Sequence, residues 1–590
     1  MSLPEQLAAC RIHAGAECAS LPVPYPAVAL FFSVTDGSRR AMVVQASGPD
    51  FDSAWTLGEA RLHERLARSP LAADAWLRVD WVEGARAVSW QQFTEQLALT
   101  KRNYFRQGLA LDTNFDVAFT EQELNANAML YGGADVEQAV VNPKNFGIYA
   151  RTRFGAQAEV PLPPAGPVYL LSTRGVFCQR ADEVHLLTGP GLNTGWRDTP
   201  RLDAAAVLAL VESGASHLAR QVEPDGRFVY GHFPCFDRRI PTYNTLRHAS
   251  SVYAMLEAWE LAPDDALRDA IERAADHLTQ CLIRSYSLPD GAELAYLVDT
   301  GGEIKLGGNA VCLLALVKYC EVFETRRWLP LLEQLALGIA RMQESATGRF
   351  VHVLHADDLR IKQLSRVIYY DGEATFGLLR LYGLTRDERW LEVAERAFEH
   401  FIASEHWRAH DHWLGYSVNE LTRWRPLEKY FRFGVLNVAG HLGFVLERKT
   451  TFPTLLELML AARQMLVRID AMPEMGHVLQ GLDRAEFDRA LDHRAHYLQN
   501  GFFWPEMAMY FRRPASIVGS FFIRHQSFRV RIDDVEHYLS GYVAYHRVLA
   551  GADSSATRLR PRDGIDAAVR PAEAHGLPSP VLPGAALASA

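Results

Sequence analysis

Cysteine is scarce and scattered: seven residues in a chain of 590, at Cys10, Cys18, Cys178, Cys235, Cys281, Cys312 and Cys320, with no Cys-x-x-Cys pair. This excludes a zinc ribbon and a disulfide framework, and fits a reduced compartment. Positive charge shows no excess either. Lys and Arg number 61 against 70 Asp and Glu, a formal charge of −9, and no extended basic patch interrupts the chain, so no nucleic-acid partner is expected. The amino terminus, Met1-Ser2-Leu3-Pro4-Glu5, lacks a basic segment followed by an apolar run, and no stretch approaches the roughly eighteen uninterrupted apolar residues of a membrane span. Neither an export leader nor an integral membrane segment is expected, and the expected location is cytoplasmic. Also missing are the Gly-x-x-x-x-Gly-Lys-Ser/Thr phosphate loop, a dinucleotide fingerprint, a Gly-x-Ser-x-Gly elbow and His-Glu-x-x-His ligand spacing. No cofactor and no resident metal is therefore expected.

What the chain does have is an internal repeat. Three times a short polar cluster opens an apolar helix, which leads through a tight turn to an amphipathic one. The copies begin Tyr243-Asn244-Thr245-Leu246-Arg247-His248, Gly307-Gly308-Asn309-Ala310 and Tyr370-Asp371-Gly372-Glu373-Ala374, each roughly 64 residues after the last. From about Arg201 onward, helical spacing predicts helices near 202–222, 243–260, 264–283, 306–321, 326–344, 369–384, 387–404, 411–422, 428–447, 453–470, 484–496 and 535–550. Alternate members differ. Those opening with polar clusters are apolar all round, as an inner helix must be, while partners such as Glu392 to His400 are amphipathic, as an outer helix with one wet face must be. Twelve helices in six such pairs make an (α/α)6 toroid over 200–550.

Residues 1–195 read differently. Ala27 to Gln45 predicts a hairpin around Thr35-Asp36-Gly37-Ser38, followed by a helix from Phe51 to Ala67 and a strand from Ala75 to Val82. A helix near Trp90 to Arg102 and a strand pair at Val168–Leu171 and Val184–Leu187 complete an α+β N-terminal domain. Thr120-Glu121-Gln122-Glu123 reads as a well-capped surface helix, or, with Arg102, Tyr104 and Arg106, as an anion or glycan contact. The last residues, 551–590, are rich in Ala, Pro and Arg without apolar patterning and predict a disordered tail.

The phrase Tyr370-Asp371-Gly372-Glu373-Ala374-Thr375-Phe376-Gly377-Leu378-Leu379-Arg380-Leu381-Tyr382, followed by Asp387-Glu388-Arg389-Trp390-Leu391, resembles the repeat unit of the six-hairpin glycosidase-like toroids. That superfamily includes glycoside hydrolases, polysaccharide lyase domains, N-acylglucosamine 2-epimerases and the helical domain of glucuronyl C5-epimerases. Lanthionine cyclases also use a helical toroid, but their Cys-His-Gly zinc motif is absent here. The resemblance covers roughly 200–550 and implies the fold rather than one reaction. It also implies a binding funnel lined by the starts of the inner helices, where the polar clusters fall.

Tyr243 and Arg247 share one face of a helix, as do Asn244 and His248, and polar faces at the head of an apolar helix call for a ligand or a polar network. His248 is thus either a base or a histidine satisfied inside the toroid. Asp371 and Glu373 read either as a cap and a first-turn acid or as acid–base groups, with Tyr370 and Arg366 beside them for a sugar. Hydrolysis would need a second carboxylate, for which Glu293, Asp299, Asp411, Glu420 and Glu506 are possible partners. His410-Asp411-His412-Trp413 is the densest polar and aromatic island. Its two histidines diverge on a helix, so proton transfer by His412 with Asp411 orienting it is favoured over a metal. An Asp cap beside ordinary loop histidines is the other account. Tyr230, Tyr243, Asn244, Arg247, Lys305, Asn309, Arg366, Tyr370 and Trp413 are the expected substrate contacts, Arg247, Lys305 and Arg366 giving a positive funnel for an acidic saccharide. The expected function is intracellular making or remodelling of a bacterial-type surface polysaccharide on a lipid- or nucleotide-linked saccharide. A hydrolase or lyase of acidic oligosaccharides, and a non-catalytic glycan-binding scaffold, are the alternatives.

Overall fold

The computed structural model describes residues 2–180, 183–189, 191, 195–199 and 201–551. The tail expected over 551–590 lies, beyond residue 551, outside the described residues. No helix among the described residues is long and apolar enough to cross a membrane.

The N-terminal part is built on one antiparallel sheet of β1 (Val28–Thr35), β2 (Met42–Gly48), β3 (Trp76–Val88), β4 (Gly108–Ala110), β5 (Ala118–Phe119), β6 (Val168–Arg180) and β7 (Glu183–Leu187). Its order is β2-β1-β3-β6-β4-β5, with β7 also paired to β6. Side chains alternate across a strand, so the run Ala29-Leu30-Phe31-Phe32 needs cover on both faces. It has it: Leu30 and Phe32 pack with Leu7, Trp55 and Leu62 of helices Leu3–Glu17 and Phe51–Arg68. Ala29 and Phe31 join the apolar core that continues through the helical part. The helix Glu121–Ala126 is capped as expected, by a box that joins Thr120 and Glu123, yet every residue of it is buried. Glu121 pairs with Arg106 at 3.3 Å and Arg524 at 3.5 Å, and Arg102 donates to backbone carbonyls, so neither the surface-helix nor the ligand-contact expectation holds there.

Between the sheet and the helical part lies a buried ion pair. Residues two apart on β3 share a face, and Arg78 and Asp80, both wholly buried, lie 2.7 Å apart. Arg78 Nη1 also donates to the Glu506 carbonyl at 2.8 Å, and Gly175 opposite Asp80 on β6 is required, because a Cβ there would stand 2.5 Å from Asp80 Oδ1. Asp80→Asn leaves a guanidinium buried without its counter-charge. We expect it to cost about 3 kcal/mol, read as a fall in unfolding midpoint in urea.

The helical part is a closed double ring. Its helices are α1 (Ala204–Gln221), α2 (Thr245–Leu261), α3 (Asp265–His277), α4 (Leu306–Val322), α5 (Leu329–Arg341) and α6 (Tyr369–Thr385), then α7 (Glu388–Ala403), α8 (His412–Trp424), α9 (Glu428–Ala439), α10 (Thr454–Asp470), α11 (Arg484–Tyr497) and α12 (Ile532–Leu549). The inner helices touch in the cycle α2–α4–α6–α8–α10–α12 and back to α2, and α1 closes the outer layer against α12 and α2. This is the (α/α)6 toroid, as the repeat predicts. The inner α4 is buried from Leu306 through Cys320, whereas the outer α7 buries Trp390, Leu391, Ala394, Ala397, Phe398 and Phe401 on one stripe. Asp203, Asn244, Asp264, Asp387, Asp411 and Asp483 each accept a first-turn N–H and so fix where their helices begin.

One part of the expected helical region is not helical. The helix expected over 264–283 is α-helical to His277 and continues as a π-helical turn over Leu278–Leu282, after which the chain enters a five-stranded antiparallel sheet of Ile283–Ser287, Glu293–Asp299, Glu303–Lys305, Val353–His355 and Ile361–Gln363. These strands precede α4 and α6, so they stand at the end of the toroid where the inner helices start.

Candidate functional site at the heads of the inner helices

Each inner helix follows an outer one, so all six run parallel and their first turns meet at one end of the ring. There, where the binding funnel is expected, the helix heads carry Arg247 on α2, Tyr369, Tyr370 and Glu373 on α6, Asp411 and His412 on α8, Glu457 on α10, and Asp533, Glu536 and His537 on α12. The openings expected to converge do so for α2 and α6. Asn309 on α4 does not reach the funnel: it is fully buried, accepting from Leu297 N at 2.7 Å and donating to Lys305 O at 2.8 Å, and so ties the strand to the helix.

The two imidazoles are the centre of this group. Their rings lie 5.3 Å apart, centre to centre. His412 Nδ1 is 3.3 Å from Asp411 Oδ2, while its Nε2 is buried without a hydrogen-bond partner. A ring whose Nδ1 faces a carboxylate holds its proton there and presents a lone pair at Nε2. His537 Nδ1 lies 2.9 Å from Glu457 Oε2 and 3.5 Å from Glu536 Oε1. Burial works against charge on His537, but Glu536 and Glu457 outweigh it and raise its pKa to about 10. Burial likewise pushes the Glu536 carboxyl up, to about 8. Tyr416 donates to Glu457 Oε1 at 3.0 Å and completes that carboxylate's shell.

Glu373 sits just behind the imidazoles. Burial first, and the charge of Asp411 second, hold its carboxyl well above the usual range. Its Oε2 lacks a hydrogen-bond partner and lies against α4, where a Cβ on Gly307 would stand 1.9 Å away. Glycine is the only residue that leaves room for it. Asp371, expected as a cap, lies inside the first turn because α6 starts two residues earlier, and it faces His352 Nε2 at 3.4 Å. Asp411 does cap its helix, accepting from Leu414 N at 3.0 Å, and its other oxygen serves His412, so both expected roles fall on one carboxylate.

His248 is a correction. One residue after Arg247, it points about 100° further round α2, away from the funnel and toward the outer α3. It is wholly buried, with Nε2 2.8 Å from Ala274 O and Nδ1 2.7 Å from Tyr243 Oη. A carbonyl only accepts, so Nε2 carries the proton and the Tyr243 hydroxyl donates to Nδ1. Burial lowers its pKa to about 3. Tyr243 is occupied by this pair and by Phe228 N–H at 3.1 Å, and Asn244 is occupied as the cap of α2. All three are structural. Trp413 is 5% exposed and packs with Phe376 and Tyr416, and Tyr370 is equally buried beside His352. The accessible aromatic is Tyr369, 38% exposed.

The cations expected to line the funnel are each already paired. Arg247 pairs with Asp533 at 2.8 Å and donates from Nη1 to the Tyr230 hydroxyl oxygen. Lys305 is held between Asp299 and Glu303, and Arg366 binds both oxygens of Glu303 at 2.9 and 3.0 Å. Arg529 and Arg531 are similarly held by Asp534 and Asp533.

Glu457, Glu536 and His537 escape a reading by repeats, because α10 and α12 do not carry the repeated opening. The sequence does signal them: an acid inside the apolar run Leu455-Leu456-Glu457-Leu458-Met459, and the cluster Asp533-Asp534-Val535-Glu536-His537 heading the last helix.

No protein-family model matches the sequence, and no curated protein matches it. Among solved structures the chain is similar to cellobiose 2-epimerase from Bacillus thermoamylovorans, with 11% identity over 58% of this chain and 99% of that chain and a TM-score of 0.44. It is similar to a D-mannose isomerase, with 12% identity over 60% of this chain and 100% of that chain and a TM-score of 0.43. It is also similar to the GH76 α-mannanase from Bacteroides thetaiotaomicron, with 9% identity over 58% of this chain and 97% of that chain and a TM-score of 0.41.

Proposed function

We propose that the funnel binds an uncharged reducing sugar and moves a proton along one face of it, interconverting an aldose and a ketose. The observation that carries this is the pair of imidazoles 5.3 Å apart, each backed by its own carboxylate. The His412 Nε2 lone pair takes the proton from the carbon next to the carbonyl, and His537, sharing its proton with Glu457, supplies one to the carbonyl oxygen. His412 then delivers a proton, exchangeable with solvent, to the adjacent carbon, while the other hydroxyl of the enediol gives its proton to His537 and becomes the new carbonyl, which restores both imidazoles. Rings this close leave no room for a sugar between them, so both address the same face. Same-face return gives the isomer, whereas epimerisation would call for a group on the far side. Tyr369 offers the sugar ring an accessible platform.

The paired cations favour a neutral sugar over the acidic or nucleotide-linked saccharides of surface-polysaccharide synthesis, since an anion would have to displace a carboxylate already bound. Hydrolysis is the second reading. A raised Glu373 beside Asp411 has the character of a general acid with a neighbouring carboxylate, although Glu373 is packed against Gly307.

Purified protein incubated in D2O with a panel of free aldoses and ketoses is expected to place deuterium at C2 of an aldose and to form the matching ketose, followed by NMR. Absence of exchange across the panel would sink the reading. New reducing ends from an oligosaccharide would move the assignment to Glu373 and Asp411, and bound but unturned glycan would indicate a scaffold.

A further inference from the structure

We infer that the funnel floor also forms a site for one divalent transition-metal ion, zinc by its donor set, held by His412, Glu457 and His537. One ligand atom from each of the three lies within 4.8 Å of the others. They come from α8, α10 and α12, which are consecutive members of the inner ring, so the site is fixed by helix packing rather than by a loop. Two imidazoles and a carboxylate are a recognised zinc set that leaves a position open, here toward the funnel. Three atoms no more than 4.8 Å apart have a common centre at most about 2.8 Å from any of them, and zinc bonds of about 2.0–2.2 Å ask the ligands to close by no more than a fraction of an ångström.

The surroundings favour a cation. His412 Nε2 is buried without a partner, and its Nδ1 is oriented by Asp411, the carboxylate–imidazole arrangement that positions a metal-binding histidine. One buried oxygen of Glu373 and one of Glu536 also lack donors, and the nearby arginines are committed to Asp533 and Asp534, so no cationic side chain other than His537 is directed at these oxygens. The ion would use the lone pairs that proton transfer uses, the proton shared by His537 and Glu457 leaving to solvent. Occupation and turnover therefore exclude one another, a consequence that rests on the proton-transfer reading, whereas the binding itself does not.

The test uses the full chain, free of any histidine tag and stripped with a chelator. Dialysis against Zn2+ is expected to leave one equivalent per chain, and Co2+, as a coloured probe, to give a visible spectrum that Zn2+ abolishes. His412→Gln and Glu457→Gln, checked for an unchanged circular dichroism spectrum, are each expected to weaken Co2+ binding at least tenfold. No stoichiometric binding by the wild-type chain, or binding unchanged in both variants, overturns the site. Isotope exchange on a sugar should proceed with chelator present and stop at one equivalent of Zn2+. Exchange that requires Zn2+ overturns the mutual exclusion. Zn2+ binding without exchange on any sugar leaves the site standing and removes the proton-transfer reading, while exchange without Zn2+ binding does the reverse.

Discussion

Between neutral pH and pH 4.5 the protein is expected to lose about 5 kcal/mol of unfolding free energy through two histidines alone. His217 on α1 and His248 on α2 are both fully enclosed, and burial lowers each pKa to about 3. In the unfolded chain they titrate at the ordinary value of about 6.5. A base depressed in the folded state stabilises the fold above the unfolded pKa, and that stability drains away as pH falls from 6.5 toward 3, because only the unfolded chain takes up the proton. Each contributes a slope of about 1.4 kcal/mol per pH unit, hence about 2.7 kcal/mol over two units. Carboxylates elsewhere also titrate in this window, so the decisive quantity is a difference. His217→Gln and His248→Gln should each flatten the dependence of unfolding free energy on pH by about 1.4 kcal/mol per unit between pH 6 and pH 4. A slope equal to that of the wild-type chain in both variants would mean these rings are not held neutral.

The second large effect separates the funnel from the fabric around it. His412→Gln and His537→Gln are each expected to lower the exchange rate on the responsive sugar by 10²- to 10⁴-fold, the range a positioned acid or base supplies; His412→Gln does so with little change in melting temperature, whereas His537→Gln also lowers it, because the buried Glu457 loses its counter-charge. His248→Ala should behave in the opposite way. It removes the links to Tyr243 and Ala274 and opens a cavity between α2 and α3, at a cost of about 2–4 kcal/mol, while the molecules that remain folded turn over normally. Equal losses of activity in all three variants, or a large fall in melting temperature for His412→Gln, would show that the imidazoles are scaffold.

Why one histidine is visible from sequence and another is not comes down to how helices meet. The repeated openings mark α2, α4 and α6 and with them the ring, because alternation of apolar and amphipathic helices is a local property of the chain. Which face of α2 looks inward is not local: Arg247 and His248 are neighbours, yet one reaches Asp533 on the last helix and the other Ala274 on the next. The same holds for Glu457 and His537, 80 residues apart and joined only when the ring closes. The funnel's charge was equally illegible, since arginines can be counted in a sequence but their pairing with Asp533 or Glu303 depends on loops meeting. The strands between α3 and α4 escaped because Leu294-Ala295-Tyr296-Leu297-Val298 is an unbroken apolar run, which does not distinguish a buried strand from a buried helix.

The contact of α1 with α12 has a consequence for how the molecule comes apart. An open array of helical hairpins frays from its terminal repeats, each of which is held on one side only. Here every hairpin has a neighbour on both sides, the first being clasped by the last across 310 intervening residues, counted from Gln221 to Ile532. There is no loose end from which to unravel. Opening must breach the circle at some seam, and once it is breached the two flanking hairpins lose half their support together.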